Sequence, residues 1–167
     1  MADVRIEPWG AGDLPLLERL MGDAAMTEHL GGPEPHEKIV DRQARYERLV
    51  ASGPGCMFKI VVDGAPAGSV GFWERDWRDM EVYEIGWSVL PEFQGRGVAK
   101  AATALAIDAA RADGTHRYVH AYPKLENAPS NAICKRLGFE LLGACDFEYP
   151  KGNPIRCNDW RLDLSDA

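Results

Sequence analysis

Between Val82 and Gly114 the chain spells out a strand, a stop, a glycine turn and a helix. Tyr83, Ile85, Trp87 and Val89 alternate with Glu84, Gly86 and Ser88, which is the period of a strand with one apolar face. Pro91 has no N–H to give a ladder and ends it. Gly95 and Gly97 follow, and then an alanine-rich stretch that predicts a helix over 95–113. Its expected inward stripe is Val98, Ala101, Ala102, Leu105, Ala109 and Ala112, and Gly114 stands where a C-terminal cap belongs. A strand that hands directly on to an amphipathic helix implies a sheet with that helix packed on it.

The rest of the chain fits around this unit. A short strand opens at Val4–Trp9, and Asp13 and Pro15 start a helix with Leu14, Leu17, Leu20 and Met21 on one face. The glycines and prolines of 30–35 make a turn. A second helix carries Ile39, Val40, Tyr46, Leu49 and Val50 and stops near Gly53-Pro54-Gly55. Strands are expected at 57–62 and 67–73 around an Asp63-Gly64 turn, then a polar loop at 74–79. A strand at 118–122, a short helix at 129–137 closed by Gly138, and strands at 139–147 and 155–164 complete the order. The expectation is one α/β (α+β) domain over 1–167, with no repeat or linker. Its sheet is mixed and mostly antiparallel, of about seven strands flanked by about four helices.

Composition narrows the function. Apolar residues make up 46% of the 167, enough for a core without staples. A formal charge of -7 argues against nucleic acid as partner and suits a cationic one. Cys56, Cys134, Cys145 and Cys157 have no zinc spacing, and His116 and His120, four apart, have no ligand nearby in sequence, so no metal is expected and a surface or strand-edge role is assigned to the histidines. No stretch reads as a signal peptide or membrane span, so free thiols and a cytoplasmic location are the expectation.

The loop after the central strand has the physics of an anion site. The first N–H groups of a helix have no internal partner, and the helix dipole adds partial positive charge. Gly95 and Gly97 allow close backbone approach, and Arg96 can add charge-assisted hydrogen bonds. The segment is neither a nucleotide P-loop nor G-x-G-x-x-G. The same residues also fit a plain strand-to-helix turn with a surface arginine.

Two motifs resemble the GNAT N-acetyltransferase superfamily. One is Gln94-Gly95-Arg96-Gly97-Val98-Ala99 behind Pro91-Glu92-Phe93, similar to the family's Q/R-x-x-G-x-G/A. The other is Asn127-Ala128-Pro129-Ser130-Asn131, running on to Leu137-Gly138-Phe139. The Asn-x-x-Ser run and Glu84-Ile85-Gly86-Trp87 resemble the branch of ribosomal-protein N-terminal serine and alanine acetyltransferases. The resemblance implies the GNAT fold and acetyl-CoA as cosubstrate. It places the pyrophosphate on the N–H groups of Gly95, Arg96, Gly97, Val98 and Ala99, with Gln94 and Arg96 at the mouth. It also implies that the pantetheine arm pairs with Trp87, Ser88 and Val89, that the Val89 N–H polarises the thioester carbonyl, and that Asn127 contacts the cofactor arm.

Attack of an amine on a thioester needs proximity, a free amine, a stabilised oxyanion and a protonated leaving thiolate. An α-amine is already free in about one molecule in ten at neutral pH, a lysine amine in about one in several thousand. Glu84, inside the central strand, is the candidate base; it also fits an arginine-paired strand residue. Many family members place a tyrosine as acid where this chain has Cys134, so Ser130 is the substitute, although a serine there also suits a helix N-terminus. Trp73, Trp77 and Tyr83, with Glu74, Asp76, Asp79 and Glu81, could line an acceptor site or form an exposed acidic turn. The expected activity is acetyl transfer to a peptide N-terminus or small-molecule amine by a monomer or homodimer. The competing reading is a non-catalytic acyl-CoA-binding sensor.

Overall fold

The computed structural model describes residues 2–165. Seven strands form one sheet: β1 (Val4–Pro8), β2 (Gly55–Val62), β3 (Ala65–Trp77), β4 (Met80–Val89), β5 (Tyr118–Ala121), β6 (Glu140–Glu148) and β7 (Pro154–Asp163). Four α-helices flank it: α1 (Leu14–Met21), α2 (His36–Ser52), α3 (Val98–Asp113) and α4 (Ala128–Arg136). The strand order is β1-β2-β3-β4-β5-β7-β6, and only β4 and β5 pair in parallel. This is the mixed, mostly antiparallel sheet that the element order predicts.

Alternation along the strands sorts two cores. On one face Phe58, Ile60, Phe72, Tyr83 and Ile85 meet Val98, Ala102 and Ala106 of α3 and Cys134 of α4. On the other, Met57 and Leu90 pack with Trp9, Leu17, Leu20 and Ile39 of the α1–α2 layer. The Trp9 indole donates to Gln43 Oε1 at 2.7 Å, which pins α2 to the end of β1.

Three local expectations need correction. The loop drawn over 74–79 is mostly strand, since β3 runs to Trp77 and the turn is Arg78-Asp79, both at positive φ. Alternating Arg75 and Trp77 side chains find partners on the sheet face, which outweighs their polarity and bulk. The inward stripe of α3 is Val98, Ala102, Thr103, Ala106, Ile107 and Ala110, whereas Leu105 is 38% exposed and Ala112 faces solvent. The helix starts at Val98, three residues later than expected, and with alanines on every side it is Thr103 and Ile107, not Leu105, that turn to the sheet. Finally, Asp13 does not cap α1 with its side chain; its carboxylate accepts from Gly10 N–H at 2.8 Å and from Lys59 at 3.1 Å.

Candidate active site

The site begins where two strands part. β4 and β5 share register only at Tyr83–Val119 and Glu84–His120. β5 is four residues long and Pro123 follows two residues later, so it cannot continue the ladder. β4 runs on to Val89 beside β3 alone. Leu90 N–H donates to Ala67 O at 2.8 Å, in line with the β3–β4 register. Bonded pairs alternate in an antiparallel ladder, so Glu84, Gly86 and Ser88 turn their backbone groups to β3. Ile85, Trp87 and Val89 therefore turn N–H and C=O toward β5, and past the last register pair at Glu84–His120 those of Trp87 and Val89 face the gap. One of these groups is already used, because Gln94 Nε2 donates to Val89 O at 2.8 Å.

The glycine loop lies at the far end of this open edge. Gly95 and Gly97 have φ of 73° and 74°, and a Cβ at either would meet nothing within 4 Å. Backbone conformation, not crowding, therefore calls for glycine there. The first helical bond of α3 runs from Ala101 N–H to Gly97 O, leaving the N–H groups of Val98, Ala99 and Lys100 without a helical acceptor. Arg96 is 45% exposed, 3.9 Å from Asp63 and over the Phe93 ring at 5.7 Å.

A cleft of about 210 Å³ opens off the gap on the α1–α2 face. Glu84, Gly86 and Ser88 form part of its floor, and Asn127 and Ser130 one rim. Asn127 Oδ1 accepts the Ser130 N–H at 3.3 Å and so caps α4, which leaves the Ser130 side chain on the cleft wall. Glu84 is 16% exposed and accepts from Arg75 Nη1 at 2.9 Å. Burial raises its pKa, and Arg75 opposes this without cancelling it. The arginine-paired reading of Glu84 thus describes its contact, and the side chain also lines the cleft, where a base would have to stand.

Beside Glu84 lies a buried pair that a surface or strand-edge role for His120 did not anticipate. His120 is 4% exposed, and its Nδ1 sits 2.6 Å from Asp159 Oδ1. Asp159 also accepts from Trp77 Nε1 at 3.0 Å. Burial opposes the charge of Asp159, but these donors hold its pKa below the usual value. Tyr122 stacks on His120 and on Phe147, and the Arg75 guanidinium lies 4.3 Å over Phe147. The Tyr122 hydroxyl and Arg75 Nε are buried with no hydrogen-bond partner among the described residues.

His116 is likewise not a plain surface residue. It contacts Glu74 at 2.6 Å and, with Glu81, forms a group of possible ligand atoms within 4.8 Å, hidden in sequence by a separation of 42 residues between Glu74 and His116. Tyr83 is buried on the opposite face, bonded to Asp113, and takes no part in the cleft; of the three aromatics proposed for the acceptor, Trp73 lines it. Cys134 is fully buried, and burial pushes its thiol up to about 12, so it is packing.

The roof is a clasp that sequence reading missed. Arg42 of α2 donates from Nε and Nη2 to Glu34 at 2.8 and 2.7 Å, and from Nη2 to the Tyr149 hydroxyl at 2.8 Å. It ties the α1–α2 connection, α2 and the β6–β7 hairpin together. The bond to Arg42 lowers the Glu34 pKa, against a smaller opposing effect of burial. No local pattern marks residues 107 apart as partners.

The acetyltransferase (GNAT) domain model matches residues 3–140. The chain belongs to this family. No curated protein matches the chain significantly. Among solved structures, YncA of Salmonella typhimurium, a putative acetyltransferase with acetyl-CoA, superposes at TM-score 0.78 with 21% identity, covering 99% of this chain and 96% of that one. The ribosomal L7/L12 α-N-protein acetyltransferase RimL in complex with coenzyme A gives 0.78 at 19%, covering 96% and 93%. The acetyltransferase of Salmonella typhimurium that modifies the N-terminal serine of L7/L12 gives 0.76 at 20%, covering 96% and 94%. At these identities the likeness is one of fold.

Proposed function

We propose that this acetyltransferase uses acetyl-CoA and acetylates a primary amine, with residues 1–167 acting as one catalytic unit. The observation that carries the reading is the unpaired β4 edge, which runs from Glu84 at the cleft to the glycine loop at α3. A pantetheine arm has the amide groups to pair with Trp87 to Val89, and a pyrophosphate has the N–H groups of Gly95 to Ala99. Arg96, on the exposed rim, adds charge. The Val89 N–H, which the ladder turns toward the gap, is placed to polarise the thioester carbonyl.

The amine nitrogen attacks that carbonyl, the C–N bond forms and the C–S bond breaks. Glu84 takes the ammonium proton, and its raised pKa brings it nearer the working range of a base. The Ser130 hydroxyl on the rim donates a hydrogen bond to the leaving sulfur, and the proton that the amine gives up to Glu84 balances the one the thiolate takes from water. Tyr122 is a second hydroxyl on the cleft wall, kept neutral by burial and by the nearby charges of Asp159 and Glu84.

Titration calorimetry with acetyl-CoA, followed by thiol release over an amine panel, tests the reading. Binding with turnover supports it. Tight binding with no turnover on any amine favours the acyl-CoA sensor, and absence of binding removes both.

A further inference from the structure

The cleft does not carry the charge of the chain around it. The sequence has a formal charge of -7, yet the described lining holds Arg42 and Lys124 against one carboxylate, Glu84, with His29 as a further titratable ring. Glu84 is bonded to Arg75, which stands outside the lining, so that pair brings no surplus negative charge to the floor. Arg42 is engaged: it donates to both oxygens of Glu34 and to the Tyr149 hydroxyl.

Lys124 is placed differently. Its backbone is held, because Asn131 Nδ2 donates to Lys124 O at 3.0 Å and a β-bridge joins Lys124 to Cys157. Its side chain is 23% exposed and meets Glu126 at 3.7 Å. Charge-assisted hydrogen bonds to a carboxylate lie at about 2.7–2.9 Å, so this contact is not one. Glu126 is 61% exposed, and an ion pair so open to water is weak. Lys124 is thus the one cation of the lining whose charged group has no hydrogen bond among the described residues. His29, on the α1–α2 connection, has no side-chain partner among them either.

A carboxylate brought to Lys124 loses water but gains charge-assisted bonds from an ammonium that has none to give up. A second ammonium there meets a like charge. Lys124 lies four residues beyond His120, the register partner of Glu84, a chain distance of at most roughly 13 Å. An acceptor that reaches both therefore carries its carboxylate several bonds from its amine. We infer that the acceptor is a primary amine with such a remote carboxylate, which the Lys124 ammonium binds while the amine stands at Glu84. This rests on the acetyl-transfer reading and names the substrate class of the same site. The chemistry has two sources, a peptide with an acidic residue next to its N-terminal one or a free ω-amino acid.

The test is thiol release from acetyl-CoA with two matched pairs, beside acetyl-CoA calorimetry. The pairs are Ala-Glu-amide with Ala-Gln-amide, and ε-aminocaproate with ε-aminocaproamide; Ala-Lys-amide is the cationic control. The members of a pair differ in charge and hardly in shape. In at least one pair kcat/KM is expected to be on the order of 10-fold higher for the carboxylate, and the pair with the larger ratio assigns the source. Lys124→Met keeps the apolar stem and removes the charge, so it is expected to erase that ratio with acetyl-CoA affinity unchanged. Lys124→Glu is expected to move the preference to Ala-Lys-amide, and unchanged acetyl-CoA affinity certifies the fold of either variant.

Equal or better use of the neutral members or of Ala-Lys-amide by the natural chain overturns the inference and leaves the acetyl-transfer reading standing. So does a ratio that survives Lys124→Met, and so does a loss of acetyl-CoA affinity in that variant, which would give Lys124 to the cofactor. Acetyl-CoA binding with none of the five amines acetylated also overturns it. Failure to bind acetyl-CoA overturns both.

Discussion

The two ends of the site are built in opposite ways. The glycine loop is contiguous: Gln94 to Lys100 supply its turn, its free N–H groups and its charge, and two positive-φ glycines set its shape. The cleft proposed for the acceptor takes Arg42 and Tyr46 from α2, Trp73 from β3, Glu84 from β4, Ser130 from α4 and Tyr149 from the far hairpin. The loop can fail alone. The clasp over the cleft cannot be altered without disturbing what holds its walls together, so a variant at Arg42 should change stability and acceptor use in parallel.

Glu84→Gln is expected to have the largest effect. It should lower kcat about 100-fold, within the usual range for loss of a general base, with acetyl-CoA affinity unchanged. Burial raises the Glu84 pKa above the ordinary 4.5, so the acid limb of the natural enzyme's rate should have its midpoint above that value. The base is lost as pH falls through the raised pKa, and a pH–rate profile of the variant should lack this limb. An unchanged limb would remove Glu84 as base and leave the cleft with an arginine-paired structural carboxylate.

Gly97→Val should come next, and it should strike the cofactor end. A β-branched residue at φ of 74° costs about 1–3 kcal/mol and moves the N–H groups of the loop. An affinity loss for acetyl-CoA of about 30-fold, roughly 2 kcal/mol, is expected from calorimetry. Retained affinity would mean that the loop is only a turn.

Arg42→Met should show the mixed behaviour of the cleft. Leaving Glu34 half-buried without its partner should cost about 1–3 kcal/mol in denaturant unfolding and raise the acceptor KM several-fold. The Glu34 pKa is depressed in the folded state, so the clasp stabilises above its unfolded value, near 4.5, and that stability fades as pH falls through the folded value. The variant should lack this part of the acid loss. A KM change without any stability change would break the claim that the two are joined.

The smallest effect belongs to Arg96→Glu. Arg96 is exposed and only loosely paired, so stability should hold within about 0.5 kcal/mol. Acetyl-CoA affinity should fall by about 5–10-fold, more at low salt than at high salt. No change at low salt would place the phosphates elsewhere.

Legibility followed the same division. Period-two alternation and Pro91 announced β4 and its end, and glycine spacing announced the loop, because both depend on neighbours in sequence. The stripe of α3 was misplaced because alanines stand on every side of the helix, so period alone did not choose between the Leu105 face and the face of Thr103 and Ile107. His120 was assigned to the surface because its partner Asp159 lies 39 residues away on a strand that becomes a neighbour only in the finished sheet. Glu34, Arg42 and Tyr149 look individually like solvated polar residues.

By itself, then, the chain determined the order of its strands and helices and the conformation of the glycine turn. It also determined which face of β4 carries Glu84. These follow from steric limits on φ and ψ and from the alternation of side chains, both local properties. Only the tertiary structure decided that β4 and β5 part after Glu84 and that Arg42 is spent on Glu34. It also decided that the cleft beside β5 is walled by rings, with Glu84 its one carboxylate among the described residues. Those are outcomes of sheet order and of desolvated pairing between distant segments, and neither is written in any one stretch of the sequence.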